Sequence, residues 1–126
     1  MRLLDSNIVI HAVQSSNSWL RKEVLEEPFA ISQTTRVEVL GWHLITPEDL
    51  ADLTTFMAAG TLLSITDTVV DRAVILRQQR KMSLGDALIA ATALEYGCEL
   101  VTRNTQDFRH ISGLPLANPF DRSPTG

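Results

Sequence analysis

What most limits the folds open to this chain is a rhythm of short apolar runs separated by helix-length amphipathic segments. Residues 3–4, 29–31, 62–65, 99–102 and 114–117 read as strands, too short and too apolar for anything but a buried sheet. The spacing predicts helices over 7–13 and 16–26, the second with Trp19, Leu20, Val24 and Leu25 at helical intervals. Ser32 is a candidate cap for a helix running to about Trp42. Thr46, Pro47, Glu48 and Asp49 make a strong helix start, because the hydroxyl caps, the proline presets the first turn and the acids favour the positive helix end. Leu50, Leu53, Phe56 and Met57 form the expected apolar face of that helix, which Gly60 ends. A helix over 67–81 should present Val70, Ala73, Val74 and Arg77 on one face, and Ser83 should open another that closes at Gly97. Strand and helix alternating in this way predict a three-layer α/β/α fold with a mostly parallel central sheet. In such sheets ligands bind beyond the carboxyl ends of the strands.

The chain's 126 residues suffice for one domain, expected over 1–120 with a flexible tail over 121–126. A net charge of −4 excludes nucleic-acid binding through bulk charge, so any such role needs a local basic patch. Residues 1–66 hold eight acids and four Lys or Arg, whereas residues 67–126 hold seven of each, so base is relatively richer in the second half. Cys98 is the only cysteine, which rules out an intrachain disulfide and suits a reducing compartment. Asp5 and Asn7 interrupt the apolar start, so no signal peptide is read, and no apolar run is long enough to span a bilayer. A cytoplasmic protein is expected.

Four acids stand at revealing places. Asp5 follows the first strand, Asp86 opens a helix, Asp107 follows the fourth strand, and Glu38 lies among Val37, Val39 and Leu40 in a helix expected to be largely buried. Each has an ordinary explanation. Asp5 suits a helix cap, Ser83 and Asp86 have capping-box spacing, Asn104 is a candidate cap ahead of Asp107, and Glu38 can share a polar face with Thr34 and Thr35. Jointly they say more. In a parallel sheet these edges converge, and converging carboxylates repel one another unless a hard cation such as Mg²⁺ or Mn²⁺ joins them. No zinc-ligand spacing, phosphate loop, dinucleotide fingerprint or Gly-x-Ser-x-Gly elbow is present, and His11, His43 and His110 are scattered.

The segments "LLDSNIVI", "RVEVLGW", "RKMSLGDALIAATAL" and "LVTRNTQDF" resemble the motifs of PIN-domain ribonucleases, specifically VapC-type toxins of type II toxin–antitoxin pairs. The match runs in order from Leu3 to Phe120 and is most specific between Lys81 and Phe108. The resemblance implies a small α/β/α domain, an acidic pocket holding Mg²⁺ or Mn²⁺, and endonucleolytic cleavage of RNA to a 5′-phosphate and a 3′-hydroxyl. The family's acids fall on Asp5, Glu38, Asp86 and Asp107. Asp5, Asp86 and Asp107 would be metal ligands, and Glu38 would hold a metal or accept the proton of the attacking water. Many PIN domains carry an acid where this chain has Asn104, which leaves the fourth ligand open between Asp107 and Asn104, with Asp107 favoured. Ser6, which stands where the family often has Thr, together with Asn7 and Thr102, would orient the carboxylates.

An acidic pocket cannot hold RNA alone. Arg72, Arg77, Arg80, Lys81 and Arg103 are the candidate phosphate contacts, with Arg109 flanking the Asp107 motif. The resemblance also implies a homodimer and a cognate VapB-type antitoxin whose C-terminal segment covers the pocket. Two other classes remain. One is a PIN-like domain that binds RNA or protein without cutting, against which the four acids speak. The other is a phospho-transfer domain using Asp5. A haloacid-dehalogenase-type phosphatase would want a second Asp where Asn7 stands.

Overall fold

The computed structural model describes residues 1–122. Five parallel strands form its sheet in the order β3-β2-β1-β4-β5: β1 Arg2–Leu4, β2 Phe29–Ser32, β3 Thr61–Leu63, β4 Glu99–Val101 and β5 Leu116–Ala117. Six helices connect or follow them: α1 Ser6–Ala12, α2 Ser18–Leu25, α3 Gln33–Leu40, α4 Pro47–Ala58, α5 Asp67–Gln79 and α6 Leu84–Tyr96. The expected α/β/α class is the one observed. Among the described residues no helix is long and apolar enough to cross a membrane.

Alternation along the strands separates the two faces. Leu3, Ala30 and Leu100 face a core built with α5 and α6, through Val69, Ala73, Leu76, Ile89 and Ala90. Their neighbours Leu4, Phe29, Ile31 and Val101 face a second core, where Ile8, Val9, Leu20, Val39, Leu53 and Phe56 pack. Successive side chains of a strand point to opposite sides, so one residue's shift in register would exchange the two cores. Leu3, Leu4 and Leu100 are fully buried, each contributing about 1.5–3 kcal/mol. Central β1 lies between β2 and β4, and the sheet order reverses there. That switch point makes the carboxyl ends of β1 and β4 the expected binding crevice.

Several local expectations hold. Ser32, Thr46 and Ser83 each accept a bond from the backbone N–H three residues on, and Thr66, which the sequence reading did not single out, does the same for α5. Gly97 closes α6 at φ 68°, a left-handed conformation that glycine adopts without a Cβ penalty. Others are corrected. The buried stripe of α5 is Val69, Ala73 and Leu76, while Val70 and Val74 are 44% and 50% exposed. Apolar residues encircle much of this helix, so periodicity left two registers open and docking on α6 selected one. Leu50 is exposed in the first turn of α4, and Leu25 at the end of α2, where packing partners no longer cover them. A separate 3-10 turn, Ser15–Asn17, precedes α2, and α3 stops at Leu40 rather than Trp42. Of the expected tail, Asp121 and Arg122 end a 3-10 turn, Pro119–Arg122. Residues 123–126 lie outside the described part.

Candidate active site

Asp5 caps α1, as its position suggested, with its carboxylate accepting from the Ser6 N–H at 2.8 Å. Asp5 is only 7% exposed. Its other oxygen accepts from Thr102 Oγ1 at 2.7 Å and Asn7 Nδ2 at 3.2 Å. The backbone explains the convergence: the Asp5 N–H donates to Val101 O at 2.9 Å, extending the β1–β4 ladder by one rung and bringing Thr102 alongside. Thr102 Oγ1 also accepts from the Asn104 N–H at 3.0 Å, which fixes the hydroxyl hydrogen on Asp5. Three donors favour the ionised form, yet the Asp5 carboxyl is pushed above its ordinary value. Burial dominates, and the charge of Glu38 adds to it.

Glu38 is exposed, not set against a buried face, because α3 turns Val37 and Glu38 outward and buries Thr34, Thr35 and Val39. Its Oε1 accepts from Ser6 Oγ at 2.8 Å. Its Oε2 lies beside Gly85 in the first turn of α6, where an added Cβ would sit 2.7 Å away. Gly85 is thus a site residue that the motif reading passed over. The signal was present as a helix-weakening glycine between the cap Ser83 and Asp86.

Asp86 stands in the first turn of α6, as its spacing from Ser83 suggested. Its N–H donates to the capping Ser83 Oγ at 3.1 Å. Its carboxyl is also raised, first by burial and then by the charges of Asp5 and Asp107. Asp107 lies in a 3-10 turn, Thr105–Asp107, after β4. Asn104 stands at the cap position of that turn but makes no side-chain capping bond, contrary to its expected role. Among the described residues the ion pairs are Arg2–Glu27 and Arg72–Glu95, and neither includes these four acids.

Mutually repelling carboxylates without a protein cation suit a hard divalent ion. The fit is to an open site. Among the described residues no three Asp, Glu, His or Cys side chains form a ready metal cage. Mg²⁺ commonly takes one or two carboxylates and completes its shell with water and substrate phosphate, which this donor set allows.

The candidate phosphate contacts divide. Arg72 is tied to Glu95 at 2.6 Å and Arg77 Nε to Met82 O at 3.2 Å, so both brace α5 against the segment around α6. Arg80 and Lys81 are exposed at the end of α5. Arg103 is linked to the site through its backbone, its N–H donating to Asn7 Oδ1 at 3.3 Å, and Asn7 in turn donates to Asp5.

A model of the PIN domain matches residues 2–114. The chain belongs to the PIN-domain family. This PIN domain is similar to a chain of a toxin–antitoxin complex from Klebsiella pneumoniae, with TM-score 0.78 and 31% identity over 94% of this chain and 98% of that one. It also resembles VapBC2 from Rickettsia felis bound to a promoter DNA fragment, at TM-score 0.80 and 20% identity, covering 93% of this chain and 97% of that one. DNA-bound VapBC from Salmonella typhimurium gives TM-score 0.80 and 20% identity, covering 93% and 96%. These last two likenesses speak for the fold. A comparison with curated proteins gives no match. The expected PIN architecture is therefore the observed one.

Proposed function

We propose that this PIN domain is a cytoplasmic, metal-dependent endoribonuclease toxin held inactive by a cognate antitoxin. One observation carries the reading: four carboxylates stand around the switch point of a PIN sheet, and the Asp86 carboxyl is raised by burial and then by the charges of Asp5 and Asp107. Asp5 and Asp86 would hold Mg²⁺ or Mn²⁺, and Asp107 would assist them. The ion, when bound, neutralises phosphodiester oxygens and lowers the pKa of a bound water. The chain's own groups do the rest. Thr102, Asn7 and the Ser6 N–H orient Asp5, and Ser6 Oγ holds Glu38, which takes the proton of the attacking water. The likeness to toxin–antitoxin assemblies supports the biological role.

An antitoxin segment has a surface to occupy. A groove of about 440 Å³ runs between α1, α3 and α4, lined by Ile10, Val13, Val39, Trp42, Ile45 and Leu53. Glu38 also lines it, so an apolar segment ending in Arg or Lys would fill the groove and set its cation against the acids. Homodimerisation belongs to the same reading, with the exposed Val70, Val74 and Ile75 of α5 as the apolar surface on offer to a second copy.

The test is cleavage by purified, antitoxin-free protein. Structured RNA should be cut with Mg²⁺ or Mn²⁺ and spared in excess EDTA, and expression should arrest growth. Asp5→Asn and Asp86→Asn should lower the rate by roughly 10²–10³ or more and relieve the arrest. Undiminished cutting in chelator would overturn the metal role. Cutting of duplex DNA but not RNA would overturn the substrate class.

A further inference from the structure

Arg103 is an exposed cation that the protein holds in one posture. Its Nη1 lies 3.1 Å from His11 Nε2, and its guanidinium carbon lies 4.1 Å from the centre of the Phe120 ring. Arginine has only donors, so His11 Nε2 must accept, and the ring proton must sit on Nδ1. Nδ1 lies 3.1 Å from Gln14 Oε1, an acceptor, so the two bonds agree on one tautomer. Phe120 is itself braced edge-on by Trp19 at 5.2 Å and by His11 at 5.6 Å. Asn118 closes the arrangement. Its Oδ1 accepts from the Phe120 N–H at 3.0 Å and its Nδ2 donates to Arg103 O at 3.4 Å.

Fixing an exposed arginine costs rotamer entropy that a cation–π contact at an exposed site returns only in part. Stability alone is a weak reason for the arrangement. The described bonds use one of the five guanidinium N–H donors, and no ion pair among the described residues includes Arg103. Arg103 lines a polar cleft of about 340 Å³ with Asn104, Asp107, Arg109, Asn118 and Asp121. Two arginines face two aspartates there, so directed donors rather than net charge would attract an anion. Asp107, one of the four acids, is part of the cleft's lining.

We propose that this cleft is a phosphate subsite for the RNA strand beyond the cleaved bond, contacted by Arg103 and Arg109. His11 and Phe120 act as positioning residues that hold the Arg103 side chain in place. The inference rests on the ribonuclease reading and adds to it a place for the strand. Asn118 and Phe120 fall beyond residues 2–114 that match the family model, Phe120 within the 3-10 turn Pro119–Arg122.

The test is fluorescence anisotropy of a labelled single-stranded RNA of mixed sequence, in Ca²⁺, across a salt series, alongside cleavage kinetics in Mg²⁺ and a thermal melt of each variant. Arg103→Ala should weaken binding and reduce the slope of log K against log salt by about 1, whereas Arg103→Lys should keep most of the slope. His11→Ala and Phe120→Leu should raise KM several-fold with kcat unchanged, and His11→Gln, which keeps an acceptor, should restore KM. A wild type that neither binds nor cuts RNA overturns the ribonuclease reading and this proposal with it. A wild type that binds and cuts, with an unchanged slope in folded Arg103→Ala, overturns the subsite alone. An unchanged KM in folded His11→Ala and Phe120→Leu overturns their positioning role.

Discussion

At the amino-terminal edge of the sheet, Arg2 donates to Val24 O at 2.9 Å and Glu27 O at 3.0 Å and pairs with the Glu27 carboxylate at 3.8 Å. Three residues along the same strand direction, at the carboxyl edge, Asp5 is buried beside Glu38, and Asp86 feels both Asp5 and Asp107. One edge compensates its charge with protein groups; the other leaves like charges facing one another. A fold under selection for stability alone would have no use for the second arrangement. On the metal-dependent reading a bound divalent ion would complete it, which is the usual relation between local frustration and a functional site.

The largest expected contrast between the edges is their response to metal. Mn²⁺ at about 100 times its dissociation constant should stabilise the wild type by roughly 2.7 kcal/mol, and Asp86→Asn should lose most of that gain. Arg2→Ala should keep the metal response while losing about 1.5–3 kcal/mol of baseline stability, the worth of charge-assisted bonds to carbonyls. Thermal melts with Mn²⁺ and with EDTA measure both. An Arg2→Ala protein that lost the metal response would dissolve the distinction.

Gly85→Ala sharpens the comparison within the acidic edge. The new methyl meets the far end of the Glu38 side chain, not backbone, so the fold can yield by moving that carboxylate. Stability should change by less than about 1 kcal/mol, since alanine also favours the helix. Cleavage should fall about 10–100-fold, the scale of a catalytic group displaced by an ångström. A fully active Gly85→Ala enzyme would show that Glu38 need not approach α6.

The smallest effect concerns pH in the metal-free protein. The folded-state values of Asp5 and Asp86 are raised, so the native state binds more protons than the unfolded chain between the ordinary and raised values. Their contribution to stability is therefore greatest below the ordinary carboxylate pKa of about 3.9 and is lost as pH rises through the raised values. In EDTA, Asp86→Asn should be as stable as the wild type or more so at pH 7, and the difference should shrink as pH falls toward 4. Destabilisation at neutral pH would make Asp86 only a capping residue.

The order of elements, the parallel sheet and the caps Ser32, Thr46 and Ser83 were legible in the sequence, because strand length, helical periodicity and capping chemistry act over a few neighbouring residues. The four acids were legible as suspects for the same reason: each stands at a local boundary that a short motif marks. Which face of α5 is buried was not legible, since Val69 and Val70 are equally apolar and only docking on α6 separates them. Nor was the exposure of Glu38, its approach to Gly85, or the grip of His11 and Phe120 on Arg103. Those contacts join residues far apart in the chain, and no periodicity or spacing encodes a distance that exists only once the β1–β4 pairing has brought Asp5 and Thr102 together.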